Sequence, residues 1–542
     1  MLYRLSIIAL IITLFSCTSE VRNEDKKIFR YNEAAGITSL DPAFAKNLAN
    51  IWVCNQLFDG LVQLDHNLDV QPAIAKSWEI SNDGLLYTFH LRNDVFFHQD
   101  PLFGDSGTRN VVAQDFEFSF LRIIDPSTAS PGAWVFQNIA NEQGKPAINV
   151  VNDSTLSIRL NKPFPAFLGI LSMEYCSVLP SEIIENYGKD FRRNPIGTGP
   201  FYFKYWKEQV KLVLRRNTNY FEKDSNGNSL PYIDAVAITF LMDKQAAFME
   251  FVKGNIDFLS GLDPGYKDEI LTSDGRLNPK FHDRFYLLGE PYLNTEYLGI
   301  MMDPDLTEPD NPLRIKQLRQ AINYGFDRTK MIRYLRNNIG APGHFGITPP
   351  GMPSFDSVTT GYSYDPAKAR ALLREAGFPD GKGLPPISLT TTSEYLDLCK
   401  FIQHEMNDLG IEMEIDVTPP ATLKELKAQS KLSFFRASWI ADYPDAENYL
   451  SLFHSRNFSP VGPNYTHFSN EKYDSWYIRS QQAIDDSVRH MLYRRMDSLM
   501  MSESPVIILY YDQVLRFISN RVTGLGSNPV NQLDLRRVKI DS

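Results

Sequence analysis

Apolar and polar positions alternate along this chain in two periods, and the period changes where turn residues fall. Residues 74–98 read as β structure. Tyr87, Phe89 and Leu91 alternate with Thr88, His90 and Arg92, the two-residue period of a half-buried strand, and Asp83-Gly84 before them suits a hairpin turn. A second hairpin is expected at Asn152-Asp153, between residues 148–150 and the alternating Leu156, Ile158 and Leu160. Pro195-Ile196-Gly197-Thr198-Gly199-Pro200 breaks any regular element, reads as a turn and is a candidate crossover between lobes; the strand Leu212-Val213-Leu214 follows.

Helical spacing dominates later. Ile315, Leu318, Ile322 and Phe326 share one face. Asp365-Pro366 starts another helix, with Asp as N-cap and Pro in the first turn, and Gly377 ends it. A third helix is predicted over 393–409, stopping at Gly410, and Ile411, Met413, Ile415 and Val417 then alternate as a strand. A further apolar strand is predicted over 434–441, stopped by Pro444. Helix and strand in alternation imply an α/β fold with a mixed or parallel sheet.

The N-terminus has a different character. Arg4 precedes an apolar run over 5–15, too short to span a bilayer and suited to a signal peptide. Leu14-Phe15-Ser16-Cys17 reads as a lipobox whose Cys17 would carry a lipid, and the polar stretch 19–27 reads as a tether. No later stretch is apolar for about 18 residues, the length a membrane helix needs.

The chain has 542 residues, 43% of them apolar and 12% aromatic, enough for several cored domains. A net charge of −10 argues against nucleic acid or an anionic membrane surface as the main partner. Besides Cys17 there are Cys54, Cys176 and Cys399, whose spacings fit no metal knuckle and no redox pair. Buried free thiols are expected; a Cys54–Cys176 disulfide is open but not indicated. No HExxH, GxSxG, P-loop or GxGxxG string occurs, and the scattered His residues form no metal signature. Ser469-Asn470-Glu471-Lys472 matches SxxK without the partner strings of a serine acylase, and reads as an exposed loop.

The most informative segment is Arg436-Ala437-Ser438-Trp439-Ile440-Ala441-Asp442-Tyr443-Pro444-Asp445. On a strand, Arg436 and Ser438 share a face and Trp439 takes the other. Asp442 falls at the strand end, on the side of Arg436, where open α/β sheets place ligand groups. An acid there needs a cation. Either the protein supplies it, Arg436 being the nearest candidate, or a ligand does.

Several strings, in order, resemble the family 5 solute-binding proteins of ABC importers, the dipeptide, oligopeptide and nickel binders. Thr38-Ser39-Leu40-Asp41-Pro42 is similar to the family's opening, and Leu57-Phe58-Asp59-Gly60-Leu61 to its next element. Ala75-Lys76-Ser77-Trp78-Glu79 through Tyr87-Thr88-Phe89-His90-Leu91-Arg92 resembles its signature block. Gly197-Thr198-Gly199-Pro200-Phe201, Arg319-Gln320-Ala321-Ile322-Asn323 with Asp327-Arg328, and the stretch from Ala369 to Gly377 complete the set.

The resemblance implies a two-lobed, periplasmic-binding-protein-like clamshell (type II, cluster C-like) with an additional small domain. It implies a signal peptide over 1–16, a tether over 17–27, a discontinuous domain I over 28–60, 200–290 and 510–542, a small domain II over 61–199, and a second lobe over 291–509. It implies no enzyme and no cofactor, but a monomer, lipid-anchored outside the cytoplasm, that captures short peptides and delivers them to ABC permease subunits. Residues 436–443 look most like the oligopeptide binders. There Asp442 would meet a peptide α-ammonium, Arg436 a carboxylate, and Trp439 matches the subgroup's tryptophan. Asp125-Pro126 to Ala129-Ser130-Pro131 resembles a segment beside that subgroup's cleft, which suggests Trp134 and, elsewhere, Tyr511 as lining residues. Ser438 stands where the pattern has Gly, which would restrict ligand size, and Ile440 stands where it has Cys. The competing expectations are another cargo in the same family (a metal chelate, haem or an oligosaccharide), a sensor without a transporter, and a secreted hydrolase.

Overall fold

Two long antiparallel strands, Phe285–Ile300 and Val506–Ser519, run through the centre of the main sheet. The computed structural model that contains them describes residues 26–261, 267–358 and 361–541. The expected signal peptide and the expected lipidation site Cys17 lie outside the described residues. Val506–Ser519 is mostly apolar and buried along most of its length, whereas Phe285–Ile300 is continuously buried only over 293–300.

The sheet grows from opposite ends of this pair. At one end Phe258–Ser260 joins Val506–Ser519, and Ile28–Asn32, Ala235–Thr239, Lys211–Arg216 and Phe201–Lys207 follow in spatial order. At the other end Phe434–Ile440 joins Phe285–Ile300, then Ile387–Thr391 and Met413–Val417 run parallel to each other. Each end has its own core: Phe29, Tyr31, Trp52 and Phe258 in the first lobe, and Leu298, Ile322, Leu389 and Phe434 in the second. The ladder between the long strands slips between Pro291 and Thr295 and again between Glu296 and Tyr297. Pro291 has no N–H to give the ladder, which suits the first slip. The domain limits expected at 290/291 and 509/510 fall inside these two continuous strands.

A separate four-stranded antiparallel sheet carries the signature block: Ala75–Ile80, Leu86–Leu91, Thr155–Arg159 and Ile148–Asn152, in that spatial order. Helix Ala113–Ile124 contributes Phe116 and Phe120 to the core beneath it. Both predicted hairpins are present. Gly84 takes φ +68° in the first, a conformation that favours glycine. The predicted helices stand at Lys316–Tyr324, Pro366–Glu375 and Leu396–Asn407. Asp365 caps the second by accepting from the Lys368 N–H. The third starts as a 3-10 turn, Ser393–Tyr395, rather than as α-helix from Ser393. Cys54, Cys176 and Cys399 are buried and free.

Several family-like strings form joints. Asp41 accepts from the Ala43 N–H and ion-pairs with Arg122. Asp59 accepts from the Thr198 hydroxyl at 2.8 Å and the Tyr220 hydroxyl at 2.9 Å. Arg328, fully buried, donates to the Ile508 carbonyl, the Asn323 carbonyl and the Asn323 Oδ1. The breaker loop also packs tightly: a Cβ on Gly199 would sit 2.4 Å from the Leu57 carbonyl carbon, and one on Gly197 2.1 Å from the Leu57 oxygen. Both obstacles are backbone. Gly199→Ala should therefore lower stability by roughly 3 kcal/mol, read as a fall in the urea midpoint at unchanged m-value. Wild-type stability in this variant would show that the loop has slack.

Candidate functional site

Strand Phe434–Ile440 pairs with the long strand Phe285–Ile300, Arg436 opposite Leu298 and Ser438 opposite Glu296. Arg436 and Glu296 are thus diagonal cross-strand neighbours, a spacing long side chains bridge. Their guanidinium and carboxylate form an ion pair, and the Arg436 guanidinium lies 3.3 Å from the centre of the Tyr395 ring. Glu296 is 2% exposed, and burial lifts its carboxyl above the ordinary value while the guanidinium pulls it back. Arg436 therefore serves Glu296. The two alternatives weighed from sequence, pairing with Asp442 or meeting a ligand carboxylate, both give way to this partner.

Asp442 lies two residues past the strand. The Ala441 N–H still bonds to the Leu293 carbonyl at 2.9 Å, and the chain then turns at Pro444. Asp445 fixes that turn: it accepts from the Glu447 N–H and the Tyr493 hydroxyl, and lies 3.5 Å from Arg489. The Asp442 side chain is open to solvent, but its surroundings are dense with protein. Desolvation raises its pKa, and a hydrogen bond from the Asn448 side chain pulls the other way. Trp439 Nε1 donates to Asn448 Oδ1 at 2.7 Å, which orients the Asn448 amide with its NH2 free for Asp442. Among the described residues, no Lys, Arg or His comes within ion-pair distance of the Asp442 carboxylate.

Asp442 borders a cavity of about 400 Å³. Three parts of the molecule line it: residues 45–48 of the first lobe, Trp134 with residues 172–175 of the small unit, and Tyr292 with residues 440–444 of the second lobe. The small unit and second lobe touch there, the Trp134 and Tyr443 rings being 6.2 Å apart. The segment 125–134 delivers Trp134 and also seats Tyr175: a Cβ on Gly132 would stand 2.3 Å from the Tyr175 ring, so the ring lies against bare backbone. Of the residues predicted from sequence, the structure brings Asp442 and Trp134 to this cavity. Trp439 stands behind it through Asn448, and Ser438 is half-buried in the ladder, outside the lining. Tyr511 is core, 1% exposed, with its hydroxyl on the Gly346 carbonyl at 2.6 Å, so it lines nothing.

Sequence reasoning missed Glu174, Tyr175, Tyr292 and Lys46. Glu174 and Tyr175 sit in a short 3-10 turn, Glu174–Cys176, which has no periodicity to announce it. Glu174 accepts from Gln532 Nε2 at 3.0 Å, and burial pushes its pKa up to about 7. The Tyr175 hydroxyl is pushed up to about 12, first by burial, then by Asp442 and Glu174. It therefore stands within electrostatic reach of both carboxylates.

One other cluster has the residue types of an acyl-transfer triad. Ser430 Oγ is 2.9 Å from His467 Nε2, and His467 Nδ1 is 3.3 Å from Asp303 Oδ2. The Ser459 carbonyl competes for the same Nε2 at 3.0 Å, and the ring, 9% exposed, is stacked on Phe458. That environment ties a loop down and gives a substrate no open face.

Two outcomes follow from these charges. Arg436→Met leaves Glu296 buried without its cation and should cost about 3–5 kcal/mol; adding Glu296→Gln should restore most of it, as urea titrations of the double-mutant cycle would reveal. Glu174 titrates at 4.5 in a free chain and near 7 when folded, so the folded state keeps a proton that the unfolded chain has lost between those values. Its contribution is fully present below pH 4.5 and is lost as pH rises through 7. Because Glu174 is only half-buried, the loss stays under the roughly 3 kcal/mol of the full shift. Glu174→Gln should match wild type at pH 4.5 and exceed it at pH 8; parallel stability curves would contradict this.

Residues 69–460 match the model of the bacterial extracellular solute-binding proteins, family 5. The glutathione-binding protein GsiB of Salmonella typhimurium is 27% identical over 501 residues, 91% of each chain. HbpA2 of Haemophilus parasuis superposes with a TM-score of 0.82 at 22% identity, covering 95% of this chain and 100% of that one. DppA of Helicobacter pylori, solved with the peptide STSA, gives 0.72 at 23% identity, covering 96% and 100%. A two-lobed fold with these neighbours and a family match across most of its length leaves one assignment: the chain belongs to the family 5 extracellular solute-binding proteins.

Proposed function

We propose that this protein captures short peptides with a free N-terminus and hands them to the permease of an ABC importer. The observation that carries the reading is the Asp442 carboxylate, set at a cavity between lobes with no cation within ion-pair distance among the described residues. An α-ammonium there would gain a charge-assisted hydrogen bond and relieve the desolvated acid. Asn448, oriented by Trp439, holds the carboxylate in place, and Trp134 and Tyr443 offer apolar and aromatic surface to the ligand body. Family membership supports transport, and the printed ligands of two relatives, glutathione and the peptide STSA, both carry an amine. The fuller reading adds a lipid anchor at Cys17, the tether 17–27, a position outside the cytoplasmic membrane, a monomeric state and the three-domain division with limits at 60, 199, 290 and 509.

Ligand favours the engaged arrangement of the lobes only by the difference in affinity it has for that arrangement. A free ammonium on Asp442 supplies such a difference. Calorimetry on the mature protein should show that N-acetylation of a bound di- or tripeptide costs about a hundredfold in affinity, and that Asp442→Asn costs a similar factor with the free peptide. Equal binding of free and acetylated peptides would remove Asp442 from the site.

A further inference from the structure

One α-ammonium neutralises Asp442 and leaves a second carboxylate on the cavity lining, Glu174, to be matched. Glu174 meets a neutral donor, Gln532 Nε2 at 3.0 Å, and that amide is shared with Asn55 Oδ1 at 3.2 Å. Among the described residues, no Lys, Arg or His lies within ion-pair distance of Glu174. Tyr175, between the two acids, is 6% exposed and lines the cavity, and among the described residues no hydrogen-bond partner meets its hydroxyl. A tyrosine hydroxyl on the cavity lining, with no protein partner among the described residues, is open to a polar ligand atom.

The remaining walls favour positive charge. Trp134, Tyr175, Tyr292 and Tyr443 present aromatic surface to the cavity, and ring faces attract ammonium and guanidinium groups. Lys46 is the one cationic side chain on the lining, exposed at the rim, with no carboxylate within ion-pair distance among the described residues. With both acids ionised, two acids and one base make the lining anionic by one unit, and a cation that pairs with Glu174 draws its raised pKa back down. A plain dipeptide, with one ammonium and one carboxylate, leaves that imbalance unchanged.

We propose that the cavity selects peptides carrying a second positive group, a lysine or arginine side chain that pairs with Glu174 while the α-ammonium pairs with Asp442 and the α-carboxylate faces Lys46. This rests on the peptide reading above and narrows it to a substrate class. Glutathione, with two carboxylates and one ammonium, has the opposite balance, so the cargo here departs from the one named for the GsiB relatives.

The test is calorimetric titration of the mature protein with Lys-Ala, Ala-Lys and their norleucine counterparts, with glutathione and N-acetyl-Lys-Ala alongside. Norleucine keeps the side-chain length and removes the charge. At least one lysine peptide should bind about tenfold or more tightly than its norleucine partner, the value of one charge-assisted contact, and glutathione should bind more weakly than either. In Glu174→Gln that lysine-to-norleucine ratio should fall to near one. Ratios near one in the wild type, with acetylation still abolishing binding, overturn the Glu174 pairing and leave the peptide reading standing. A lysine preference that survives Glu174→Gln also overturns it, because the second cation then pairs elsewhere. If no free peptide binds, the peptide reading falls and this one falls with it.

Discussion

The ion pair between Glu296 and Arg436 decides the chemistry of this protein before any ligand arrives. A guanidinium six residues from Asp442, on the strand that leads to it, would be its natural partner. Glu296 takes that guanidinium instead, because the register sets the two residues diagonally across the ladder and buries the carboxylate. A buried acid binds its cation more firmly than a solvated one, since releasing it would leave a bare charge in a poor solvent. Asp442, at the open end of the strand, therefore has an amide beside it and, among the described residues, no cation within ion-pair distance.

The position of that anion matters as much as its charge. The two long strands carry the chain between lobes, and their ladder slips at residues 291–297, next to the level where Asn294 faces Ile440. The acid thus stands at the seam rather than inside either core. Its cavity is walled by segments far apart in the chain, held by contacts such as Trp134 against Tyr443 and Gly169 against Pro444. The three walls come from separate parts of the molecule, so the shape of the cavity depends on their relative placement.

Much of the fold was legible in the sequence because local rules and tertiary packing agree there. Asp365-Pro366 and Gly377 bracket a helix, and the alternation at Tyr87, Phe89 and Leu91 is a strand with those three side chains inward. The strings that carried the family resemblance were legible for another reason: Asp41, Asp59, Arg319 and Arg328 are buried or half-buried joints whose side chains tie separate segments together. They mark the scaffold and are silent about the cargo. The site was only half legible. Asp442 stood out as an acid at a strand end and Trp134 through the family-like segment before it, whereas Tyr511 looked like a lining residue and is core, because a tyrosine in an apolar strand fits either role. Arg436 was misleading for a similar reason: spacing along one strand says nothing about which acid the neighbouring strand presents.

Glu174 escaped because nothing local marks it. It lies in a single 3-10 turn between a helix and an irregular run, with no period and no motif. Its importance comes from what surrounds it: Gln532 from the far end of the chain, Tyr175 seated on the bare backbone of Gly132, and Asp442 within reach of the same hydroxyl. A joint needs the same side chain wherever the fold recurs, so its signature is written in the sequence. A cargo-reading residue needs only to face the cavity, so it can be carried by whatever short turn passes there. The two carboxylates of this cavity, Glu174 and Asp442, accordingly stand on walls that meet only in the folded molecule.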